Sequence, residues 1–275
     1  MMDETHRMLE TAKEAAQCGG EILMQEFGKL TDSQIDLKGK GDYVTELDRR
    51  SEQAIIGRIK EDFSGHIIQA EESGEEIQES SYRWIIDPLD GTANYVQGIP
   101  VYGVSIALKK RDVVLMGVVY CPDRDEMFWA TRGDGAFLNG ERIRVSTRKD
   151  MAYAMLASGF PWRSRTYLDS YMACFRELFL GAAGIRRMGS AAVDLAYTAC
   201  GRFDGFWEMK LGPWDIAAGI LLIQEAGGVV TDFLGGDGYF ASGNVVAGNP
   251  FIHKKIVHVT RRHLSGVGND APKEA

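Results

Sequence analysis

The sequence predicts a mixed α/β protein, and three observations predict it. Amphipathic stretches at helical spacing alternate with short apolar, β-rich runs along 275 residues. Several acids stand where such a run ends or where a helix begins, the places at which α/β proteins assemble their sites. Hydrophobic residues make up 45% of the chain, enough for a substantial core in one large domain or two fused halves.

Residues 5–27 carry Leu9, Ala12, Ala16, Gly19, Ile22, Leu23 and Phe27 on one side and charged residues on the other, which predicts an amphipathic helix. The stretch Asp36 to Asp48 contains Gly39 and Gly41 and reads as a mobile loop. It ends at Thr45, a candidate cap for a helix through Ser51, Ile55 and Ile59. Asp48 falls in the first turn of that helix, where a negative charge is favoured; it either caps the turn or points back into a site. His66 to Ala70 reads as a strand that ends in Glu71 and Glu72, which are surface loop acids or part of a site.

Trp84-Ile85-Ile86 is a second apolar run, ending at Asp87-Pro88, and Pro88 should stop the strand there. Asp90-Gly91-Thr92 then turns into a helix start, whose backbone amides point outward. Two carboxylates and several amide donors converge on one small volume. Carboxylates that close repel unless a cation sits between them, and hard oxygen ligands suit Mg²⁺ while a helix start suits phosphate. Metal-dependent chemistry on a phosphate ester is the functional reading of this stretch. The plainer alternative makes Asp90 an N-cap and Asp87 an ion-pair partner.

Val101 to Tyr120 reads as a β-hairpin with a basic tip, and Asn139-Gly140 as a tight turn between two further strands. An N-terminal α+β half is expected over residues 1–150. A C-terminal α/β half follows over 151–265, with a disordered tail over 266–275. In the second half Ala154 to Gly159 reads as a strand and Tyr167 to Leu180 as a helix. Gly189-Ser190-Ala191 opens a helix, permitting close approach of a ligand or of another helix. Phe203 to Glu208 reads as a strand, and Asp215 starts an apolar helix as its cap or as a metal ligand supplied by the second half.

Charge and cysteine usage narrow the class. With 31 basic and 39 acidic residues the net charge is −8, which argues against a dedicated nucleic-acid or anionic-membrane binder. Cys18, Cys121, Cys174 and Cys200 are widely spaced, as reduced thiols of a cytoplasmic protein would be. Met1 to Arg7 is not followed by an unbroken apolar core, and Gly219 to Val230 is broken by Gln224 and Glu225, so neither a targeting segment nor a membrane span is expected.

Together these stretches resemble the inositol monophosphatase family of metal-dependent, lithium-sensitive phosphatases, especially its bacterial members. One signature reads Trp84-Ile85-Ile86-Asp87-Pro88-Leu89-Asp90-Gly91-Thr92-Ala93-Asn94. A second reads Pro213-Trp214-Asp215-Ile216-Ala217-Ala218-Gly219 through Glu225-Ala226-Gly227-Gly228. Asp42 to Asp48 and Glu71-Glu72-Ser73-Gly74 match as well, and the likeness runs from about Leu9 to Asn249.

The resemblance implies a five-layer α/β/α/β/α sandwich, commonly a homodimer, that hydrolyses myo-inositol 1-phosphate or a related polyol phosphate. It implies that Glu71, Asp87 and the Leu89 carbonyl hold one Mg²⁺, and Asp87, Asp90 and Asp215 a second; the family pattern allows a third near Glu71. Thr92 and Asp48, with Glu71, resemble the group that orients and deprotonates the attacking water. Gly91 and Thr92 amides would hold phosphate oxygens, and Gly189, Ser190, Ala191 and Glu208 match positions at the inositol ring. Lys38 matches a lysine that approaches the metals, while Arg186 and Arg187 could serve a second phosphate or a surface ion pair.

Relatives with the same metal site act on fructose 1,6-bisphosphate, histidinol phosphate or 3′-phosphoadenosine 5′-phosphate. Haloacid-dehalogenase-type phosphatases place a nucleophilic Asp two residues before the Asp of Asp90-Gly91-Thr92. Pro88 stands there in this chain, and no aspartyl-phosphate can form. A reading from a different class is a regulatory binding protein that keeps the fold without depending on turnover.

Overall fold

The helix expected near the N-terminus is α1 (Glu4–Glu26), which buries Leu9, Ala12, Ala16 and Leu23 on one side. The computed structural model describes residues 4–31, 34–39, 42–160 and 164–267. After α1 come β1 (Ile35–Gly39) and β2 (Asp42–Thr45), paired antiparallel with Ile35 opposite Thr45. Strands thus flank the expected glycine loop, whose Lys40 and Gly41 lie outside the described residues. Ile35, Leu37, Tyr43 and Val44 suit strands, and antiparallel pairing satisfies their backbone groups. Lys38 lies on β1, its side chain outside the described residues.

Next is α2 (Glu46–Phe63). The Thr45 hydroxyl accepts from the Leu47 amide at 3.1 Å, and the Asp48 carboxylate accepts from the Thr45 amide at 2.8 Å. This capping box is worth about 1 kcal/mol to the helix. Then follow β3 (Ile67–Ala70), β4 (Gly74–Glu75), β5 (Tyr82–Asp90), α3 (Thr92–Val96), β6 (Gly103–Lys110), β7 (Val113–Cys121), β8 (Glu126–Thr131), β9 (Gly135–Leu138) and β10 (Glu141–Ile143). The strands form one eight-stranded sheet in the order β10-β9-β8-β7-β6-β5-β3-β4, antiparallel except for the β3–β5 pair. Asn139 and Gly140 turn β9 into β10 with φ of 48° and 86°, the left-handed pair such a turn demands.

Pro88 does not end β5. Asp87 pairs with Ser105, the register slips across Pro88 and Leu89, and pairing resumes with Asp90 opposite Gly103. A proline has no N–H to give the ladder, and a bulge is where a sheet tolerates one.

The second half runs β11 (Met155–Ser158), α4 (Leu168–Gly181), β12 (Gly184–Arg186), α5 (Ala191–Ala199), β13 (Gly205–Glu208), α6 (Pro213–Glu225), β14 (Val229–Thr231), α7 (Tyr239–Ser242), β15 (Val245–Gly248) and α8 (Pro250–Leu264). Its five-stranded sheet has the order β12-β11-β13-β15-β14. Beyond Gly228 the strands are too short for a periodic signal, but Asn249-Pro250 is a legible helix start, and the Asn249 side chain accepts from the Phe251 and Ile252 amides at 3.0 Å.

Five layers result. Helices α1 and α2 cover one face of the eight-stranded sheet, α5 and α6 lie between the two sheets, and α4 and α8 cover the far face of the second. Both faces of the large sheet are therefore dry. Trp84, Ile86, Ile106 and Leu108 point to α1 and α2, while Ile85 and Ala107 point to the middle helices, as a period of two requires. The middle layer packs tightly: a Cβ on Gly117 would stand 2.7 Å from Cα of Ala218 on α6. Of the tail expected over 266–275, Gly266 is exposed, Val267 is buried against the outer core, and residues 268–275 lie outside the described residues. Among the described residues no helix is long and apolar enough to cross a membrane, and the four cysteines are free thiols.

Candidate active site and metal centre

Strand pairing assembles the first part of the site. Because β3 and β5 are parallel neighbours with Ala70 opposite Ile86, their carboxyl ends share one sheet edge, and Glu71 emerges beside Asp87. The Glu71 amide donates to the Ile86 carbonyl at 3.1 Å. The bulge at Pro88 then lets one strand present two acids: the Asp87 carboxylate accepts from the Leu89 amide at 3.0 Å, and Asp90 follows at the strand end.

The second half reaches the same point through α6. Ser105, the strand partner of Asp87, donates its hydroxyl to the Trp214 carbonyl at 2.9 Å, which places the next residue, Asp215, over β5. Asp215 also accepts from the Gly212 amide at 2.7 Å, so its roles as cap and as site acid coexist. Asp87, Asp90 and Asp215 each offer a carboxylate oxygen, and these atoms lie within 4.8 Å of one another. Asp90 is tied to the start of α5, accepting from Ser190 Oγ and from the Ala192 amide, both at 2.6 Å.

Asp87 is 1% exposed. Burial first, then the charges of Glu71, Asp90 and Asp215, push its carboxyl well above the ordinary range. A donor set of buried, mutually repelling carboxylates with the Leu89 carbonyl beside it fits a hard divalent cation, whose charge would remove that repulsion. Asp48 lies behind this cluster. Burial raises its pKa to about 6 against the opposing hydrogen bonds from Thr45 and Thr92. Thr92 Oγ1 stands 3.1 Å from Asp48 Oδ1 and 3.0 Å from the Leu89 carbonyl. Gly91, with φ of 96°, turns the chain into α3 without a capping side chain, leaving the first amides of that turn open.

A cavity of about 420 Å³ lies over the cluster, with Glu71, Asp87, Leu89, Asp90, Gly91, Thr92 and Asp215 in its walls. Gly189, Ser190, Ala191 and Glu208 line it as well. Arg186 does not: it is exposed at the end of β12, and Arg187 lines the cavity in its place, since neighbouring residues of an extended chain point opposite ways. The sequence reading also missed Tyr43, Phe160 and Asp194, which share these walls. For Asp194 a signal existed, as it is the one charged residue in the otherwise uncharged α5. Burial, then Glu208 and Asp90, raise its pKa well above the usual carboxylate range, against Arg187.

The sequence pattern of the inositol monophosphatase family matches residues 4–265. The Nus factor SuhB of Escherichia coli is 45% identical over 261 residues, which cover 94% of this chain and 98% of that protein. The inositol-1-monophosphatase of Mesorhizobium japonicum is 42% identical over 259 residues, 94% of this chain and 97% of that one. Among solved structures, the extragenic suppressor protein suhB of Bartonella henselae has a TM-score of 0.90 at 41% identity, covering 93% of this chain and 99% of its own. The inositol monophosphatase of Anabaena has a TM-score of 0.85 at 37% identity, with 96% and 99% covered. The likeness is nearly end to end in sequence and in fold, and the chain belongs to the inositol monophosphatase family, a family of phosphatases.

Proposed function

We propose that this protein is a Mg²⁺-dependent phosphomonoesterase that hydrolyses myo-inositol 1-phosphate or a related polyol phosphate to the alcohol and inorganic phosphate, as a cytoplasmic homodimer. The observation that carries the reading is the meeting of Asp87, Asp90 and Asp215, from both halves of the chain, within 4.8 Å under a cavity. With Glu71 and the Leu89 carbonyl, these residues would hold two Mg²⁺ ions, and the family pattern allows a third. Bound there, the ions neutralise phosphate charge and lower the pKa of water to near neutrality.

The chain's own groups do the rest. The Thr92 hydroxyl donates to Asp48 Oδ1, which leaves its lone pairs to accept from the attacking water. A proton taken from that water passes through Thr92 Oγ1 to Asp48, whose pKa of about 6 makes it a competent acceptor at neutral pH. Gly91 and Thr92 amides at the start of α3 orient the phosphate oxygens. Gly189, Ser190, Ala191 and Glu208 face the alcohol, and Lys38 belongs to the hairpin before α2.

The test is phosphate release with Mg²⁺ across polyol, sugar, histidinol and nucleotide phosphates, with Asp215→Asn as the control. Inositol 1-phosphate should be turned over and lithium should inhibit; release no faster than the control on every ester would end the reading. The names of relatives called Nus factor SuhB favour a second reading, a regulatory binding role independent of turnover. In cells lacking the native copy, full rescue by an Asp90→Asn variant without phosphatase activity would support it. Rescue by the wild type alone would return the case to catalysis.

A further inference from the structure

We infer that Asp194 is a specificity-determining residue that, beside Glu208, reads the hydroxyl groups of the alcohol being released. The inference rests on the phosphatase reading above and narrows its substrate class to polyhydroxylated monophosphates.

Helix α5 is buried at every position, and Asp194 is 1% exposed within it. The helix does not need the carboxyl. Ser190 caps it, accepting from the Val193 amide at 3.3 Å, and the Asp194 backbone carbonyl accepts from Thr198 Oγ1 at 2.8 Å. Asp194 Oδ1 nonetheless has no hydrogen-bond partner among the described residues. Buried acceptors are rarely left so, and Asp194 stands in the wall of the cavity, where a partner for its carboxyl comes from what enters.

Its neighbours define that ligand. Glu208 lies on the same wall, its carboxylate so close over Gly159 that no Cβ would fit there. Asp194 senses the charges of Glu208 and Asp90, with Arg187 opposing them. Two carboxyl groups in one wall pair well with hydroxyls, each of which donates and accepts. The wall therefore favours a leaving alcohol that carries several hydroxyls.

The experiment compares kcat/KM, with Mg²⁺, for myo-inositol 1-phosphate and for p-nitrophenyl phosphate, whose leaving group offers no such array of hydroxyls. Wild type, Asp194→Ala and Asp194→Asn are assayed, and their thermal unfolding is recorded. The ratio of inositol to nitrophenyl turnover should fall about tenfold or more in Asp194→Ala, mostly through KM, and recover in part in Asp194→Asn. Asp194→Ala should melt no lower than wild type, because it removes an unpartnered buried acceptor. An unmoved ratio, a parallel loss on both esters, or a variant that melts early or does not fold would overturn the inference and leave Asp194 a structural residue. A wild type inactive on both esters would instead sink the phosphatase reading itself.

Discussion

Asp87 gains nothing from water and is surrounded by three other carboxylates, and its substitution separates activity from stability. Asp87→Asn and Asp215→Asn should each cost on the order of several kcal/mol in transition-state stabilisation, seen as a fall in kcat/KM of three or more powers of ten. In EDTA, Asp87→Asn should melt no lower than wild type, since it relieves repulsion; a large drop there would make Asp87 a structural residue.

His253 on α8 makes a pH prediction away from the site. It is 7% exposed, shares a 2.9 Å hydrogen bond with Thr231, and burial lowers its pKa to about 4 from an ordinary 6.5. The folded state thus binds fewer protons than the unfolded chain between those values. The contribution is fully present above pH 6.5 and is lost as pH falls through 4, for a total on the order of 3 kcal/mol. Denaturant titrations should show that loss shrink in His253→Gln.

The acids of the site were legible as residues because each ends a strand or opens a helix, where chemistry is sought. Arg187 was not separable from Arg186 without knowing which way the chain faces. Asp194 was passed over because a lone acid in the first turn of a helix is sufficiently explained by the helix dipole.

At the scale of elements, contact between α6 and the large sheet depends on missing side chains. Gly117 on β7 faces Cα of Ala218 at a distance no Cβ tolerates, and both atoms are backbone or nearly so. Gly117→Val should cost about 1–3 kcal/mol and shift α6, so that Asp215 is misplaced and activity falls with Tm. A variant stable and fully active would show that α6 has room to slide.

The long helices were legible from their spacing, and α2 from its cap. The hairpin β1–β2 was not, since its glycines outweigh four strand formers in a short window. Nor was the bulge at Pro88: a proline reports that a ladder bond is missing, while only the partner strand decides whether pairing resumes beyond it.

Across the whole molecule the question is whether the halves divided near residue 150 are also separate folding units. We propose that they are not. The central core draws Ile85, Ala107 and Val119 from one half and Leu195, Phe206 and Ile220 from the other. Asp90 is bonded to Ser190 and Ala192 across the same divide. Calorimetry should give one transition whose van't Hoff and calorimetric enthalpies agree, and residues 1–150 expressed alone should not fold. Two resolved transitions would contradict this. The layer order came from resemblance rather than from periodicity, because period reports which face of an element is apolar and not what covers it.

The helices between the sheets have no outer side. In α5 every residue is buried, as is Asp215 to Ile223 of α6, whereas α1 alternates buried with exposed positions. Tolerance to mutation should differ accordingly. A deep scan selected on solubility should rise and fall every three to four residues along α1, yet run flat and low along α5. Homologues can drift freely on the outer helices, while the two in the middle must change by compensating pairs or hardly at all.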